Sequence, residues 1–281
     1  MNGLKTVLLL GLMSSMLLFG GRAIAGEQGL YIGVALAIAM NFFSYFFSEK
    51  LALKMSGAQR VSPSEHPDVY RRLAPMTEQL TQRMGIPMPK LWVTPEDSPN
   101  AFATGRNPSH SSVAVTVGLL RLMNDEELEG VVAHELGHIK NRDILTASIA
   151  ATIASAISFL AQMAFFFGGR RGDDEDAPNP LASILMFLLA PIAAMIIQMA
   201  ISRTREFSAD ATAAKYTGSP RGLINGLRKL EGFSHRIPMQ ANPSTAHMWI
   251  IKPLAGGTMM RLFSTHPATE ARIAALERLA Q

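Results

Sequence analysis

The sequence predicts a mainly α-helical membrane protein, in which four spans accompany a domain with a small β-sheet. Charged residues make up only 17% of the 281 residues, against about 25% in ordinary soluble domains. The chain also contains four uncharged runs, separated by stretches of ordinary soluble composition. We therefore predict two N-terminal transmembrane helices in residues 1–47, a transmembrane hairpin in 144–201, and one soluble core assembled from 48–143 and 202–281.

The first uncharged run, Val7 to Phe19, has 13 residues and is short for a span. Ala23-Ile24-Ala25 resembles a signal-peptidase site, so a cleaved signal peptide in residues 1–25 is the competing interpretation. Arg22 lies between the run and that site, which argues against cleavage. We favour an uncleaved first span, with the Arg22 side chain reaching the membrane surface.

The other three runs have about the 20 residues that a bilayer-crossing helix needs. Leu30 to Phe47 has 18 residues and ends in aromatic side chains, Ile144 to Phe167 has 24, and Leu181 to Ile201 has 21. Residues 168–180 join the last two as a charged loop, which we interpret as solvated, with an acidic ion-binding site as the alternative. Two geometries stay open for 144–201, a full crossing and a shallow hairpin.

Lysine and arginine residues near the span ends predict the orientation of the chain, because cytoplasmic loops carry an excess of both. One side has Lys5, Lys50, Lys54, Lys140, Arg142, Arg203 and Arg205, and the other has Arg22, Arg170 and Arg171. This bias places both termini and the soluble domain in the cytoplasm.

Hydrophobic periodicity predicts the elements of the soluble domain. They are helices over Pro67 to Met84, Glu206 to Tyr216, Arg221 to Phe233 and Pro267 to Leu279, strands over Lys90 to Thr94 and Ser112 to Val117, and a possible edge segment over Asn100 to Gly105. Asn124 can cap one further helix, whose first turn is acidic.

That further helix carries His134-Glu135-Leu136-Gly137-His138, the metalloprotease pattern H-E-x-x-H. Residues four apart lie on one helix face, so His134 and His138 can direct their imidazoles at the same metal ion, with Glu135 placed to reach a water on it. The chain has no cysteine, which leaves histidine and carboxylate as zinc ligands. The pattern predicts one zinc ion per chain, with two core histidines as the alternative.

A catalytic zinc site needs a third protein ligand, and Glu206 is the best candidate. Asp210 lies one helical turn further on, where it could orient a ligating histidine through the free ring nitrogen. The alternative is a surface acid near Arg203 and Arg205. His266 is our candidate donor to the oxyanion, since it precedes a helix with Pro267 in its first turn; an exposed loop histidine is the alternative.

With such a site, zinc would activate water and polarise a scissile carbonyl, while Glu135 takes the proton and delivers it to the leaving amine. The competing function is a zinc-dependent chaperone or partner-binding subunit with a structural metal. Structural zinc sites are closed by four protein ligands, and no fourth is evident in the sequence.

The motifs together resemble the HtpX family of bacterial heat-shock membrane proteases, which is related to the CAAX prenyl endopeptidases. The resemblance rests on Asn100-Ala101-Phe102-Ala103-Thr104-Gly105, His134 to His138, Glu206-Phe207-Ser208-Ala209-Asp210, and Ser264-Thr265-His266-Pro267 with Arg272. Their order and spacing, and the hydrophobic hairpin, match over essentially the whole chain.

The resemblance implies a gluzincin-like zinc endopeptidase of the bacterial inner membrane, which degrades misfolded or damaged membrane proteins under stress. It implies His134, His138 and Glu206 as ligands and Glu135 as the base, with Asp210 and Arg272 around the ligands. It also implies that an edge strand formed by Asn100, Ala101, Phe102 and Ala103 pairs with the substrate backbone.

The expected partners are polypeptide substrates, chiefly membrane proteins, and the lipid bilayer. Nucleic acid is not expected, because the net charge of +4 comes from basic residues that are scattered and cluster mainly beside hydrophobic runs. A transporter is disfavoured, because the spans carry no acid or base. The sequence leaves the oligomeric state, natural substrates and regulation open.

Overall fold

The computed structural model describes residues 14–15, 26–28, 31–32, 34–36, 38–39, 42–43, 45–144, 204–234 and 267–279. The chain divides into two compact units, one of residues 1–46 and 146–201, the other of residues 47–145 and 202–281. In the first unit, every described residue is helical.

The four predicted spans lie wholly or partly outside the described residues. Val7 to Phe19, Ile144 to Phe167 and Leu181 to Ile201 are almost entirely outside them, and Leu30 to Phe47 is partly outside them. Within the part of the chain that is described, no helix has both the length and the apolar character to cross a bilayer. All four spans therefore stay predictions.

A four-stranded mixed sheet forms one layer of the second unit. Its strands are β1 (Gln59–Arg60), β2 (Lys90–Thr94), β3 (Ala101–Asn107) and β4 (His110–Thr116), in the order β1-β2-β4-β3. Strand β2 pairs with β4 in parallel, and β1 and β3 are antiparallel to their neighbours. The predicted strand at Lys90 to Thr94 is confirmed, and the predicted edge segment is the edge strand β3.

The described residues of the same unit include the helices α1 (47–55), α2 (Pro67–Met84), α3 (Val117–Leu122), α4 (Asp125–Asn141), α5 (204–217), α6 (Arg221–Ser234) and α7 (Thr269–Leu279). The predicted helices are confirmed with small shifts at their ends. The second predicted strand ends one residue early, because Thr116 caps α3 and its hydroxyl accepts a hydrogen bond from the backbone N–H of Leu119 at 3.1 Å.

Both ends of α4 are fixed by local chemistry. The Asn124 side chain accepts from the N–H of Glu127 at 2.9 Å, and the Glu127 carboxylate accepts from the N–H of Asn124 at 3.0 Å, which makes a complete capping box. At the other end Arg142 adopts a left-handed conformation with φ 57° and stops the helix. The predicted cap at Asn124 is therefore confirmed.

Helix α4 lies in the middle of the unit and packs against α2, α6 and the sheet. Eleven of its 17 residues are buried, so the helix is enclosed on several sides rather than on one face. Its crossing with α6 is close, because a side chain at Gly130 would bring its Cβ within 2.5 Å of the Leu223 nitrogen. This position places His134 and Glu135 inside the core, with 0% and 2% of their surface exposed.

The other face of the sheet is covered by α1. Ala52 and Leu53 of that helix pack with Phe102 of β3 and Ala114 of β4. A polar chain supports the contact: Trp92 Nε1 donates to the Ser112 hydroxyl at 2.9 Å, and that hydroxyl donates to Glu49 at 2.8 Å. The edge strand is thus held between α1 and the central helix.

Candidate metal centre

Three side chains from two helices converge at the centre of the second unit. The Nε2 atoms of His134 and His138 on α4 are 3.2 Å apart. Glu206 on α5 places Oε2 at 3.6 Å from the first nitrogen and Oε1 at 3.5 Å from the second. One ligand atom from each of the three residues can be chosen so that all three lie within 4.8 Å of one another. Helical spacing on α4 and the position of α5 therefore bring together the predicted ligand set.

Both histidines direct Nε2 at this centre and hold Nδ1 against a carboxylate. His134 Nδ1 is 2.8 Å from Asp210 Oδ1, and His138 Nδ1 is 3.1 Å from Asp143 Oδ2. An ionised carboxylate can only accept a hydrogen bond, so each Nδ1 carries a proton, and Nε2 is the nitrogen that would bind a metal ion once it is deprotonated. Two imidazole lone pairs and a carboxylate facing each other this closely are stabilised by a cation.

The spacing of the three donors fits zinc. Ligand atoms at 2.0–2.1 Å from a tetrahedral zinc ion lie about 3.3 Å from each other. The two Nε2 atoms are 3.2 Å apart, and each lies 3.5–3.6 Å from a different oxygen of Glu206, so the three side chains are close enough to share one ion. Three protein ligands leave one position of a tetrahedron for water, as in catalytic rather than structural zinc sites.

The approach of α5 to α4 depends on small residues at their contact. A Cβ at Gly137 would lie 3.1 Å from the Ala209 carbonyl oxygen and 3.2 Å from its Cα. Since Gly137 lies between the two histidines and Ala209 lies between Glu206 and Asp210, this contact sets the distance between the ligands of the two helices. The glycine in the motif thus has a packing reason.

Arg272 of α7 lies beneath the ligands and is 2% exposed. Its Nε and Nη2 donate to the two oxygens of Asp210 at 2.8 and 2.6 Å, and its Nη1 is 3.3 Å from Glu206 Oε2. Burial alone would raise the pKa of Asp210, but the charge and hydrogen bonds of Arg272, with the hydrogen bond of His134, lower it to about 2. Asp210 is therefore held ionised behind His134.

The same carboxylates act on His134. Burial and the charge of Arg272 oppose its protonation, but hydrogen bonds to Asp210 and Glu206 outweigh both and raise the pKa of His134 to about 9. The surroundings therefore favour a positive charge at this imidazole. Metal binding there displaces a proton.

Glu135 follows His134 on the helix and is 2% exposed. Burial is the main cause that raises its pKa, assisted by Glu206, while the two histidines and a backbone hydrogen bond from Ala103 act in the opposite direction. A carboxyl group with a raised pKa is suited to exchange a proton near neutral pH. The hydrogen bond also joins this side chain to the edge strand.

The backbone of β3 alternates between its partner strand and the open edge. The carbonyl of Asn100 accepts from the N–H of Thr116 at 2.9 Å, so Phe102 and Thr104 also face β4, while Ala101 and Ala103 turn their backbone groups to the other side. The N–H of Ala101 donates to the Asn100 side chain at 3.0 Å. Within the described chain β3 has a neighbouring strand on one side only.

The structure brings together most of the site residues that the sequence predicts. His134, Glu206, Asp210 and Arg272 form one buried cluster with the partly exposed His138, and Glu135 and the strand of Asn100 to Ala103 lie beside it. His266 lies outside the described residues, so its role stays a prediction.

Two residues at the site were not predicted from sequence. Asp143 contacts His138, and Arg205 Nη1 donates to the Asp143 carbonyl at 2.8 Å. In the sequence, Arg205 follows a hydrophobic run and was interpreted as one of the basic residues that set the orientation of the spans. Asp143 lies five residues after His138, beyond the end of the helix, where spacing gives no orientation.

Comparisons with known proteins agree with this geometry. A profile of peptidase family M48 matches residues 67–280. The protease HtpX homolog of Desulfatibacillum aliphaticivorans is 52% identical over 279 residues, covering 98% of this chain and 89% of the relative. That of Sulfurihydrogenibium sp. (strain YO3AOP1) is also 52% identical, over 290 residues, covering 100% of this chain and 97% of the relative.

A solved structure shows the same fold. The crystal structure of Ste24p from S. mikatae aligns with a TM-score of 0.58 at 21% identity, and the alignment covers 98% of this chain and 65% of that one. The fold, the site and the relatives confirm the resemblance drawn from the sequence motifs. The chain belongs to peptidase family M48 and is an HtpX-type zinc metalloprotease, whose His134, His138 and Glu206 are consistent with a zinc site.

Proposed function

We propose that this metalloprotease hydrolyses peptide bonds in misfolded or damaged membrane proteins at the cytoplasmic face of the bacterial inner membrane, as part of a stress response. The observation that carries the proposal is the convergence of His134, His138 and Glu206 beside Glu135, next to an edge strand. Each residue has a role that follows from its contacts.

Glu135 is the proposed general base. Zinc bound by the three ligands would lower the pKa of a water to about 7 and polarise the substrate carbonyl. Glu135, buried and next to the ligands on the same helix, takes the proton and passes it to the leaving amine. The hydrogen bond from Ala103 holds this carboxylate at the strand where the substrate backbone would lie.

The edge strand is the proposed substrate platform. Asn100, Ala101, Phe102 and Ala103 lie on β3 or at its start, and pairing through the backbone holds an extended peptide without requiring a particular sequence. A segment adds to a sheet edge in this way when its backbone is extended and its hydrogen-bonding groups are free, and misfolded chains offer more such segments than folded ones. A preference for misfolded polypeptides follows from this mode of binding.

The proposed membrane substrates follow from the position of the site along the chain. His138 precedes the uncharged run at Ile144 to Phe167 by a few residues, and Glu206 follows the run that ends at Ile201. If these runs span the bilayer, the zinc site lies close to its cytoplasmic surface. Unfolded segments emerging from the bilayer would then be near it.

His266 and the residues around the ligands complete the proposed machinery. We retain His266 as the donor to the developing oxyanion, on the strength of its place in the sequence three residues before α7. That helix begins at Thr269, so Pro267 precedes its first turn instead of lying in it as the sequence predicted. Asp210 is proposed to orient His134, and Arg272 to hold Asp210 and Glu206 in place, as the distances of 2.6–3.3 Å support.

The test is cleavage of casein and of a denatured membrane protein by the full chain in detergent, with and without zinc. Glu135→Gln is expected to keep zinc and to lose about 10²- to 10⁴-fold in turnover. Glu126→Gln is the matched control, because it makes the same change at an exposed position of the same helix. It should cleave like the wild type.

Unchanged turnover in Glu135→Gln would overturn the proposed mechanism. A wild-type protein that binds zinc through four protein donors and cleaves neither substrate would support the non-catalytic alternative instead. If casein is cleaved but the membrane protein stays uncleaved in every lipid and detergent condition, the protease activity stands and the proposed substrate class is wrong.

A further inference from the structure

We propose that Asp143 and Arg205 form a second positioning pair, which sets the orientation of His138 independently of the Asp210 and Arg272 pair behind His134. Asp143 is 4% exposed, and its Oδ2 is 3.1 Å from His138 Nδ1. Arg205 donates from Nη1 to the Asp143 carbonyl oxygen at 2.8 Å. The inference rests on the proposed role of His138 as a metal ligand.

The position of Asp143 depends on the end of α4. Arg142 has φ 57° and is the one non-glycine residue with a positive φ in the described part of the chain. This left-handed residue ends the helix. Asp143 is therefore directed back along the last turn, where its carboxylate meets the ring of His138.

Arg205, on α5, holds the backbone carbonyl of Asp143. It immediately precedes Glu206 on α5, so one residue contacts Asp143 while the next supplies the third proposed ligand. Burial lowers the pKa of Arg205, and the nearby charges of Asp143 and Glu206 act in the opposite direction. Asp143 lies just before residues 145–203 and contacts His138, while Arg205 lies just after them and adjoins Glu206. The pair therefore links two of the proposed ligands.

The consequence for the metal is a fixed ring and a fixed tautomer. A carboxylate at Nδ1 keeps the proton there, which keeps Nε2 directed at the zinc position and makes it a stronger donor. Loss of such a partner usually weakens metal binding by about 10- to 100-fold. Asp143 acts through His138 and is a positioning residue, not one that contacts the substrate.

The test measures zinc affinity by chelator competition on the full chain in detergent, together with the visible spectrum of the cobalt-substituted protein. Asp143→Ala is expected to weaken zinc binding about 10- to 100-fold and to shift the cobalt bands. Asp143→Asn should have a smaller effect, because an amide oxygen still accepts from Nδ1. Arg205→Gln should weaken binding less than Asp143→Ala and add little to it in the double variant.

The matched control is Asp68→Asn, because Asp68 is an exposed acid in an ion pair with Arg71 on α2. Zinc affinity and cobalt bands in Asp143→Ala equal to those of the control would overturn the inference. If the Asp143 variants lower the free energy of unfolding of the metal-free protein but bind zinc as tightly as the wild type, Asp143 has a merely structural role. This outcome would also overturn the inference.

Failure of the inference can be told apart from failure of the proposed function. If His138→Ala binds zinc as tightly as the wild type, His138 is not a ligand and the proposed site is wrong. If His138→Ala loses zinc while the Asp143 and Arg205 variants keep it, the site stands and only the positioning pair is removed.

Discussion

The two histidines of the zinc motif occupy different surroundings, although they lie one helical turn apart. The His134 side chain is 1% exposed and is held by Asp210, which Arg272 contacts with two hydrogen bonds. The His138 side chain is 15% exposed, and its partner Asp143 comes from the residue just beyond the helix. One half of the site belongs to the core, and the other lies at its margin.

The two histidines are therefore held in position in two different ways. The His134 half is stabilised by a buried ion pair between helices α5 and α7, so its geometry is a property of the folded core. The His138 half depends on one left-handed residue and on Arg205, at the point where the chain leaves for residues 145–203. We expect substitutions in the first half to affect folding and zinc binding together, and those in the second to affect mainly zinc binding.

The largest effect is expected from Arg272→Met. The variant leaves the buried carboxylates of Asp210 and Glu206 without their cation, which costs about 3–5 kcal/mol in the free energy of unfolding. Denaturant unfolding of the metal-free protein measures it. Arg228→Gln is the control, because Arg228 of α6 makes an exposed ion pair with Glu277 of α7, the helix that carries Arg272. It should cost no more than about 1 kcal/mol.

A loss in Arg272→Met no larger than in the control would show that the His134 half is not supported by the buried ion pair. The comparison between the halves would then fail. Asp210 accepts two hydrogen bonds from the buried Arg272, whereas Asp143 contacts His138, whose side chain is 15% exposed. Asp143→Asn should therefore change the unfolding free energy less than Asp210→Asn does.

A smaller effect is expected from Gly137→Ala, which acts on both halves at once. The added Cβ would lie 3.1 Å from the Ala209 carbonyl oxygen, so α5 must shift by a few tenths of an ångström and carry Glu206 with it. Zinc affinity should fall by about tenfold, within the range seen when the surroundings of a metal ligand are disturbed. Chelator competition measures the change.

Gly232→Ala is the matched substitution, because Gly232 is also helical and a Cβ there meets nothing within 4 Å. It should leave zinc affinity unchanged and stabilise α6 by up to about 1 kcal/mol, since alanine is the better helix former. Equal zinc affinities in the two variants would show that the contact of α4 with α5 does not set the ligand spacing.

The three proposed ligands and Asp210 could be predicted from sequence, whereas Arg272 was expected only from the family resemblance. His134, His138, Glu206 and Asp210 are related by steps of four residues along helices, and helical periodicity is the strongest signal in a sequence. Asp143 could not be predicted, because its direction depends on the dihedral angles of Arg142. Arg205 was not distinguishable from a residue that marks the end of a membrane span.

The fold divides in the same way. The long helix α2 was predicted to the residue, and the start of α4 was predicted from its cap at Asn124. Strand β1 has two residues and α3 has six, too few for either periodicity to appear. The order β1-β2-β4-β3 also could not be predicted, because pairing between β2 and β4 depends on contacts across the unit rather than on the strands themselves.

The most direct test of the account is the zinc affinity of Glu206→Ala, with zinc content per chain measured beside it. Glu206 is separated from His138 by 67 residues of sequence, yet the account makes it the third ligand of the same ion. The wild type should bind one zinc ion per chain, and Glu206→Ala should bind it at least about 100-fold more weakly, while the exposed His110→Ala binds like the wild type. Equally tight binding in Glu206→Ala would contradict the account.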